Sequence, residues 1–247
     1  MDSKYKILIA LCLYLLVLTG CNENKESNES KPVKTMASSQ GTHHDSDHAS
    51  DHDVTQEGSV KASEYDIFDN PYPTENNEQV VVYEFFGYTC PHCDSFQPYV
   101  DKWLENKPDH IKLVRVPLNF QPNWEIMQKA YYTSELMGII EESHHKLFNA
   151  IHRENKRFNS IEQVAQWFAD EMNINKDEFL STAESFIVDS KQRKANKMGM
   201  SMQVTSTPTV IVNGKLRPSK HLHDRDRMMQ VLDFLVEKEA KEMGLTQ

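Results

Sequence analysis

The chain has 247 residues and a net charge of −10, with 38% hydrophobic and 26% charged residues. This length suits one large domain or two small ones, and the apolar content suffices for a core although it lies below the usual globular average. The acidic balance argues against a nucleic-acid-binding protein, and four cysteines are too few for a small fold held together by many disulfides.

The N-terminus has the pattern of a bacterial export signal. Two lysines precede an apolar run over residues 7–18, which suits a signal peptide and is too short to span a bilayer. The run ends in Leu18-Thr19-Gly20-Cys21, which resembles the lipobox of bacterial lipoproteins, where the cysteine is acylated. We expect residues 1–21 to be a lipoprotein signal segment, with the chain anchored through Cys21 to the cell envelope and facing the periplasm or the outside of the membrane. The alternative is an ordinary signal peptide with a chance cysteine.

Residues 22–60 have the composition of a disordered tether. They contain no Phe, Trp or Tyr, and eight acidic residues stand against three lysines. Such a segment buries too little apolar surface to offset the entropy lost on ordering. Within it, residues 43–53 place four histidines among four aspartates. These groups could bind zinc, copper or nickel weakly, but a solvated linker is the simpler interpretation.

Strand and helix patterns alternate after the tether. Residues 65–68 form a candidate edge strand, and the apolar run Val-Val-Val-Tyr-Glu-Phe-Phe that ends at Phe86 predicts a strand covered on both faces. Apolar residues at helical spacing predict a helix over residues 91–106. Residues 111–116 predict a second long strand.

The apolar period changes to 3.6 residues over residues 123–198, which predicts a helical block. Its predicted helices cover about residues 123–137, 139–153, 161–172 and 176–197. The histidines of this block and of the C-terminal part are interpreted as surface or capping residues; they include His144, His145, His221 and His223.

The last part of the chain returns to strand patterns. Residues 204–212 predict a strand, Asn213-Gly214 is a hairpin-turn signal, and Leu216 begins the partner strand. Residues 225–243 predict an amphipathic C-terminal helix. We therefore expect one α/β domain, formed by residues 61–122 and 199–247, that is interrupted by a helical domain over residues 123–198.

The candidate chemical centre is the motif Cys90-Pro91-His92-Cys93. Pro91 suits the first helical position, because the N–H that proline lacks would have no partner there. Cys90 then lies at the helix N-terminus, where free amides and the helix dipole lower the pKa of a thiol, and His92 adds a donor or a positive charge. Cys93 lies one turn further along the same face, so we expect it to be buried, protonated and within disulfide reach.

A single pair of this spacing also occurs in zinc sites and at haem attachment sites. A structural zinc site needs four ligands, and haem attachment needs a histidine where Asp94 stands. A structural disulfide that closes so short a loop restrains the unfolded chain little. The strand-to-helix context therefore favours a redox pair that passes its disulfide on, because a stabilised thiolate makes the disulfide easier to reduce.

The segment Phe85-Phe86-Gly87-Tyr88-Thr89-Cys90-Pro91-His92-Cys93 resembles the active-site segment of the DsbA family of thiol:disulfide oxidoreductases. The resemblance covers residue 65 to the C-terminus and implies an α/β, thioredoxin-like fold with an inserted α-helical domain. It implies an enzyme that donates its Cys90–Cys93 disulfide to reduced or unfolded exported proteins and uses no cofactor or metal. A quinone-linked membrane oxidase of the DsbB type would reoxidise it.

The resemblance also assigns roles to residues outside the motif. Besides Cys90, Pro91, His92 and Cys93, it makes Glu84 catalytic, as the acidic residue beneath the active site that helps to move the Cys93 proton. Arg115 matches a basic partner of this carboxylate, and a purely structural ion pair is the alternative. Thr207-Pro208 matches the cis-proline site, where an extended substrate chain would bind.

Thr207 keeps a second function open. The family usually has valine before this proline, and Thr207 is more similar to the disulfide isomerases. The alternative is therefore a disulfide isomerase or reductase that is kept reduced in the cell. A third possibility, from a different class, is a metal-binding lipoprotein that uses the His/Asp tract together with the dithiol.

Overall fold

The computed structural model of the protein describes residues 59–74 and 78–246. The expected signal segment with Cys21, the His/Asp tract and nearly all of the expected tether lie outside these residues. Within the described ranges, no helix is long and apolar enough to cross a membrane.

Five strands form one mixed sheet in the order β1-β5-β4-β2-β3. They are β1 (Tyr65–Ile67), β2 (Val80–Phe86), β3 (Ile111–Pro117), β4 (Thr209–Val212) and β5 (Leu216–Pro218). The β2–β3 pairing is parallel, and the other pairings in this sheet are antiparallel. All seven residues of β2 are buried, as its continuous apolar run predicts.

Helices cover both faces of the sheet. Val80 and Val82 of β2 pack with α1 (Pro91–Asn106) and α7 (Arg225–Glu242) on one face. Val81 and Phe85, which point the other way, pack against the helical insertion. This insertion comprises α2 (Trp124–Leu136), α3 (Ile140–His152), α4 (Ile161–Met172), α5 (Lys176–Ala183) and α6 (Phe186–Ser201).

Two predicted elements differ from the structure in their bounds. The segment predicted over residues 176–197 is two helices, because Ser185 caps a new helix by accepting a hydrogen bond from the Val188 N–H. Helix α6 then continues past residue 198, so the expected domain boundary lies inside it. The strand predicted from residue 204 begins only at residue 209: the Val204 N–H closes the end of α6 on the Gly199 carbonyl, and Pro208 has no N–H for the sheet.

The predicted hairpin between β4 and β5 is confirmed. Asn213 and Gly214 have φ values of 46° and 66°, in the left-handed region that this turn requires. A side chain at Gly214 would lie 2.3 Å from the Tyr72 carbonyl oxygen, so the close approach of that segment also requires glycine. The Asn213 Oδ1 accepts a hydrogen bond from the Val81 N–H at 2.8 Å and ties the turn to strand β2.

Candidate active site

The two motif cysteines lie where the buried strand β2 is followed by helix α1. Cys90 is the N-cap of α1, with extended backbone angles, and Pro91 occupies the first helical position. The Cys90 carbonyl accepts the Cys93 and Asp94 N–H groups, each at 3.1 Å. Both thiols are free; Cys90 is 7% exposed and Cys93 is fully buried. The predicted placement of the pair is confirmed, including the greater burial of Cys93.

The surroundings of Cys90 lower the pKa of its thiol to about 5, far below the ordinary value of 9.0. The largest cause is a hydrogen bond from the Cys93 thiol, and partial burial works against it. The Thr207 side chain and the N–H groups of Cys93 and His92 add smaller stabilising hydrogen bonds. The predicted direction is therefore correct, although the partner thiol, which the sequence did not indicate, contributes more than the helix amides.

Cys93 is shifted in the opposite direction. Complete burial raises the pKa of its thiol far above the ordinary range, and the hydrogen bond with the Cys90 thiolate raises it further. Cys93 therefore holds its proton at any physiological pH and donates it toward the Cys90 sulfur. The pair consists of one accessible anion and one buried acid, which are the two protonation states that an asymmetric thiol exchange needs.

A cis-proline loop lies beside the pair. The Thr207–Pro208 bond is cis, as the resemblance implies, and the Cys90 sulfur lies 3.6 Å from the Thr207 carbonyl oxygen. Proline and the residue before it thus face the reactive sulfur. The side chain of His92 is exposed and lines the cavity next to this loop, whereas its backbone N–H is the group that bonds the sulfur.

Glu84 lies fully buried on β2, opposite Arg115 of β3. Its Oε2 is 3.3 Å from the Arg115 Nε, and its Oε1 accepts a 2.9 Å hydrogen bond from the Gln97 Nε2. Burial raises the pKa of Glu84, and the positive charge of Arg115 opposes that rise. The predicted Glu84–Arg115 pair therefore forms, and Gln97 connects it to the active-site helix, because its Nε2 also approaches the Cys93 carbonyl oxygen at 3.5 Å.

His144 continues this chain into the helical insertion, and its prediction as a surface or capping residue is wrong. It is 2% exposed, and burial lowers the pKa of its imidazole so that the ring is neutral. Since the Gln97 Nε2 faces Glu84, the Gln97 Oε1 accepts from the His144 Nε2 at 3.1 Å. The His144 Nδ1 is then an acceptor for the Tyr88 hydroxyl at 2.9 Å. Tyr88 thus donates to His144, His144 donates to Gln97, and Gln97 donates to the Glu84 carboxylate, which ends the chain as the acceptor.

The sequence contains the signal for a buried His144. In α3, His144 lies three and four residues before Leu147 and Phe148, which form the buried face of that helix together with Ile151. The ring packs edge-on against Phe86 and Phe148. Gln97 follows Cys93 by four residues on α1, so the helical repeat also places it beneath the active site.

The helical insertion holds the active-site segment through further contacts. His152 of α3 hydrogen-bonds the Tyr88 carbonyl oxygen at 2.7 Å, and Arg153 pairs with Asp94. The Trp124 ring packs so tightly on Gly87 that a side chain there would lie 2.5 Å from it. Residues of α2 and α3 thus fix the loop between β2 and α1, and Arg153, which follows α3, holds the first turn of α1. Among the described residues, no group of three or more His, Cys, Asp or Glu side chains is placed to hold a metal.

Comparisons with known proteins agree with this geometry. A family model described as thioredoxin matches residues 75–233. The thiol:disulfide interchange protein DsbA of Pseudomonas aeruginosa is 35% identical over 177 residues, which cover 71% of this chain and 83% of the relative. The protein of the same name from Bordetella parapertussis is 30% identical over 182 residues, covering 73% and 86%.

Solved structures give the same result. The crystal structure of Pseudomonas aeruginosa DsbA matches with a TM-score of 0.68 at 34% identity, over 73% of this chain and 94% of that one. The oxidoreductase DsbA from Xylella fastidiosa matches with a TM-score of 0.69 at 26% identity, over 74% and 99%. These matches confirm the predicted thioredoxin-like fold with its helical insertion. The chain belongs to the DsbA family of thiol:disulfide oxidoreductases.

Proposed function

We propose that the protein donates the Cys90–Cys93 disulfide to reduced, exported proteins that are still folding. The observation that carries this proposal is the opposite protonation of the two thiols: Cys90 is an anion and Cys93 an acid at neutral pH. A pKa lowered from 9.0 to about 5 stabilises the reduced form, because each pH unit is worth about 1.4 kcal/mol. The disulfide is correspondingly easy to give away.

The reaction proceeds by two thiol–disulfide exchanges. A substrate thiolate attacks the Cys90 sulfur, the Cys90–Cys93 bond breaks, and Cys93 leaves and takes up a proton. A second substrate thiolate then attacks the substrate sulfur of the mixed disulfide and releases Cys90 as a stable thiolate. Two electrons pass from the substrate dithiol to the enzyme, and the substrate gains one disulfide. Thr207 and Pro208 bind the extended substrate segment next to Cys90.

Glu84 supplies the proton that Cys93 needs. Its raised pKa favours a protonated fraction, and its link through Gln97 places it beneath the helix that carries Cys93. We expect Glu84→Gln to slow the formation of the mixed disulfide by about tenfold or more, as for loss of a general acid. The rate should also lose its pH dependence in the range where Glu84 titrates. Glu135→Gln, which removes a surface partner of Lys191, is the matched control and should leave the rate unchanged.

Substitution of each cysteine tests the mechanism. Cys90→Ser should abolish oxidation of a reduced peptide, because the attacked sulfur is gone. Cys93→Ala should accumulate mixed disulfides with its substrates, which non-reducing gels and mass spectrometry detect. Undiminished turnover by the Cys90 variant would exclude this mechanism.

The cellular setting is a further part of the proposal. The protein works outside the cytoplasm, in the periplasm or on the outer side of a membrane, and a lipid on Cys21 holds it there. A quinone-linked oxidase of the DsbB type accepts the two electrons and restores the disulfide. Cys21→Ser should release the protein from the membrane fraction into the soluble fraction. A variant protein that stays with the membrane would contradict the lipid anchor.

Thr207 supports a second candidate function, a disulfide isomerase or reductase. Its side chain hydrogen-bonds the Cys90 thiolate and so stabilises the reduced state in which an isomerase works. The redox state in the cell separates the two functions. Acid trapping followed by alkylation should find the pair mostly oxidised in a disulfide donor and mostly reduced in an isomerase.

A further inference from the structure

A cavity of about 600 Å³ opens directly beside the reactive pair. Its walls include His92 and Phe96 from α1, the cis-proline loop around Thr207, and the segment that joins β5 to α7. Four residues with hydroxyl groups line it as well: Thr205, Ser206, Thr209 and Ser219. We call this cavity the polar groove. It lies where a substrate chain bound at Thr207 and Pro208 would continue.

The polar groove is positively charged. Three permanent cations line it, Arg217, Lys220 and Arg225, and none of the described residues that line it is a carboxylate. Asp66 offsets Arg217 through a 2.7 Å ion pair. Lys220 and Arg225 form no ion pair within the described ranges. Lys220 is exposed, and the Arg225 guanidinium stacks over the Phe96 ring at 5.3 Å, which holds its charge at the wall of the groove.

This local charge is opposite in sign to that of the whole chain. The chain carries −10, so an acidic substrate would be repelled by the protein as a whole and attracted only at the groove. At physiological ionic strength the interaction between exposed charges is largely screened beyond about 8 Å. A chain bound in the groove therefore interacts mainly with the charges of the groove itself. A binding site whose charge is opposite in sign to that of the rest of the protein favours partners of one charge over partners of the other.

We propose that the polar groove selects substrate segments that carry acidic side chains next to the reacting cysteine. This proposal deepens the disulfide-donor function and rests on it. Lys220 and Arg225 pair with the substrate carboxylates, and the hydroxyl groups of the groove accept or donate hydrogen bonds to its backbone. These two residues determine specificity and take no part in the exchange of electrons.

Three reduced peptides test the proposal with the oxidised, full-length protein. They share two cysteines at one spacing and differ only in flanking glutamates, glutamines or lysines. Because flanking charges also change the acidity of the peptide thiols, each rate is divided by the rate of the same peptide with an uncharged small-molecule disulfide. At low salt we expect the normalised rate constant to favour the acidic peptide over the basic one by about tenfold, and salt to reduce this ratio.

Reversal of one charge and removal of the other identify the residues responsible. Lys220→Glu and, separately, Arg225→Gln should reduce or invert the preference for the acidic peptide. Lys197→Glu changes the charge of an exposed α6 residue that does not line the groove, and should leave the preference intact.

The possible results are distinct. Equal normalised rates for the three peptides would overturn the acidic preference and leave the disulfide-donor function in place. A preference that survives both Lys220→Glu and Arg225→Gln would overturn the assignment to this groove. Failure to oxidise any of the peptides would instead refute the donor function, and the inference with it.

Discussion

The protonation of Cys90 and Cys93 follows from a difference of one helical turn. Cys90, at the N-cap, receives hydrogen bonds from the Cys93 thiol, the Thr207 side chain and two backbone amides. Cys93 is enclosed by the protein and has no compensating charge, so burial raises its pKa. The same hydrogen bond lowers one pKa and raises the other. The two residues are therefore a coupled unit, and a change in either one alters both.

Thr207→Val tests the contribution of the cis-proline loop to this unit. Valine has nearly the same shape but cannot donate to the Cys90 thiolate, so we expect the pKa of Cys90 to rise by about one pH unit. The disulfide should become correspondingly less oxidising. The measurement is a thiolate titration together with the redox equilibrium against glutathione. Thr205→Val, on the same loop but exposed, should change neither value. If Thr207→Val also changes neither the pKa of Cys90 nor the redox equilibrium, the threonine side chain does not stabilise the thiolate.

At the scale of elements, α3 and the active-site loop form one buried contact. His144 lies between the Tyr88 hydroxyl and the Gln97 side chain, and His152 holds the Tyr88 carbonyl oxygen. These groups are polar and are buried or partly buried, so each needs its partner to complete its hydrogen bonds. The helical insertion is thereby a structural support for the loop that carries Cys90.

His144→Phe tests this support. Phenylalanine fits the aromatic surroundings but leaves the Tyr88 hydroxyl and the Gln97 Oε1 buried without partners, at about 1–3 kcal/mol each. We expect the free energy of unfolding to fall by about 2–4 kcal/mol in denaturant titrations. His145→Phe is the control: its partner Asp101 is exposed, and such pairs contribute about 0–1 kcal/mol. Equal losses in the two variants would contradict a special role for His144.

The sequence predicted the elements that have strong local patterns. The apolar run of β2, the helical spacing of α1 and the Asn213-Gly214 turn each correspond to an observed element. The break between α5 and α6 was missed, because Ser185 can lie inside a helix as well as cap one. The start of β4 was misplaced because Val204 is apolar for a different reason: it packs in the core of the insertion.

The site residues that lie close together in the sequence were predictable, whereas the contacts between residues far apart in the sequence were not. Cys90, Cys93 and the N-terminal position of Pro91 follow from one tetrapeptide and its context. The hydrogen bond between the Tyr88 hydroxyl and His144 joins residues 56 positions apart, and no pattern in one sequence specifies such a contact. Histidine is a polar residue, and only its position on the apolar stripe of α3 indicates that His144 is buried.

At the scale of the whole molecule, the Cys90 thiolate makes stability depend on pH and redox state. In the reduced protein the Cys90 pKa falls from 9.0 when unfolded to about 5 when folded. The stabilisation is complete above the unfolded pKa and is lost as the pH falls through about 5. Above pH 9 it no longer grows, and the buried Cys93, which cannot ionise, then disfavours the folded state.

We therefore expect reduction to stabilise the folded protein in a pH-dependent way. The unfolding free energy of the reduced form, minus that of the oxidised form, should be about 2–3 kcal/mol greater at pH 7 than at pH 4. The oxidised form has neither thiol and serves as the reference in parallel denaturant titrations. A difference that does not change between pH 4 and pH 8 would show that the folded and unfolded thiols have the same acidity.

The acidity of Cys90 can be measured directly. The thiolate absorbs in the ultraviolet, so titration of the reduced protein against the oxidised protein as a blank gives its pKa. We predict one transition with a midpoint near pH 5, well below the ordinary thiol value of 9.0, and no ionisation of Cys93 at neutral pH. A single midpoint near 9 would contradict the account, because Cys90 would then be an ordinary thiol with no tendency to give its disulfide away.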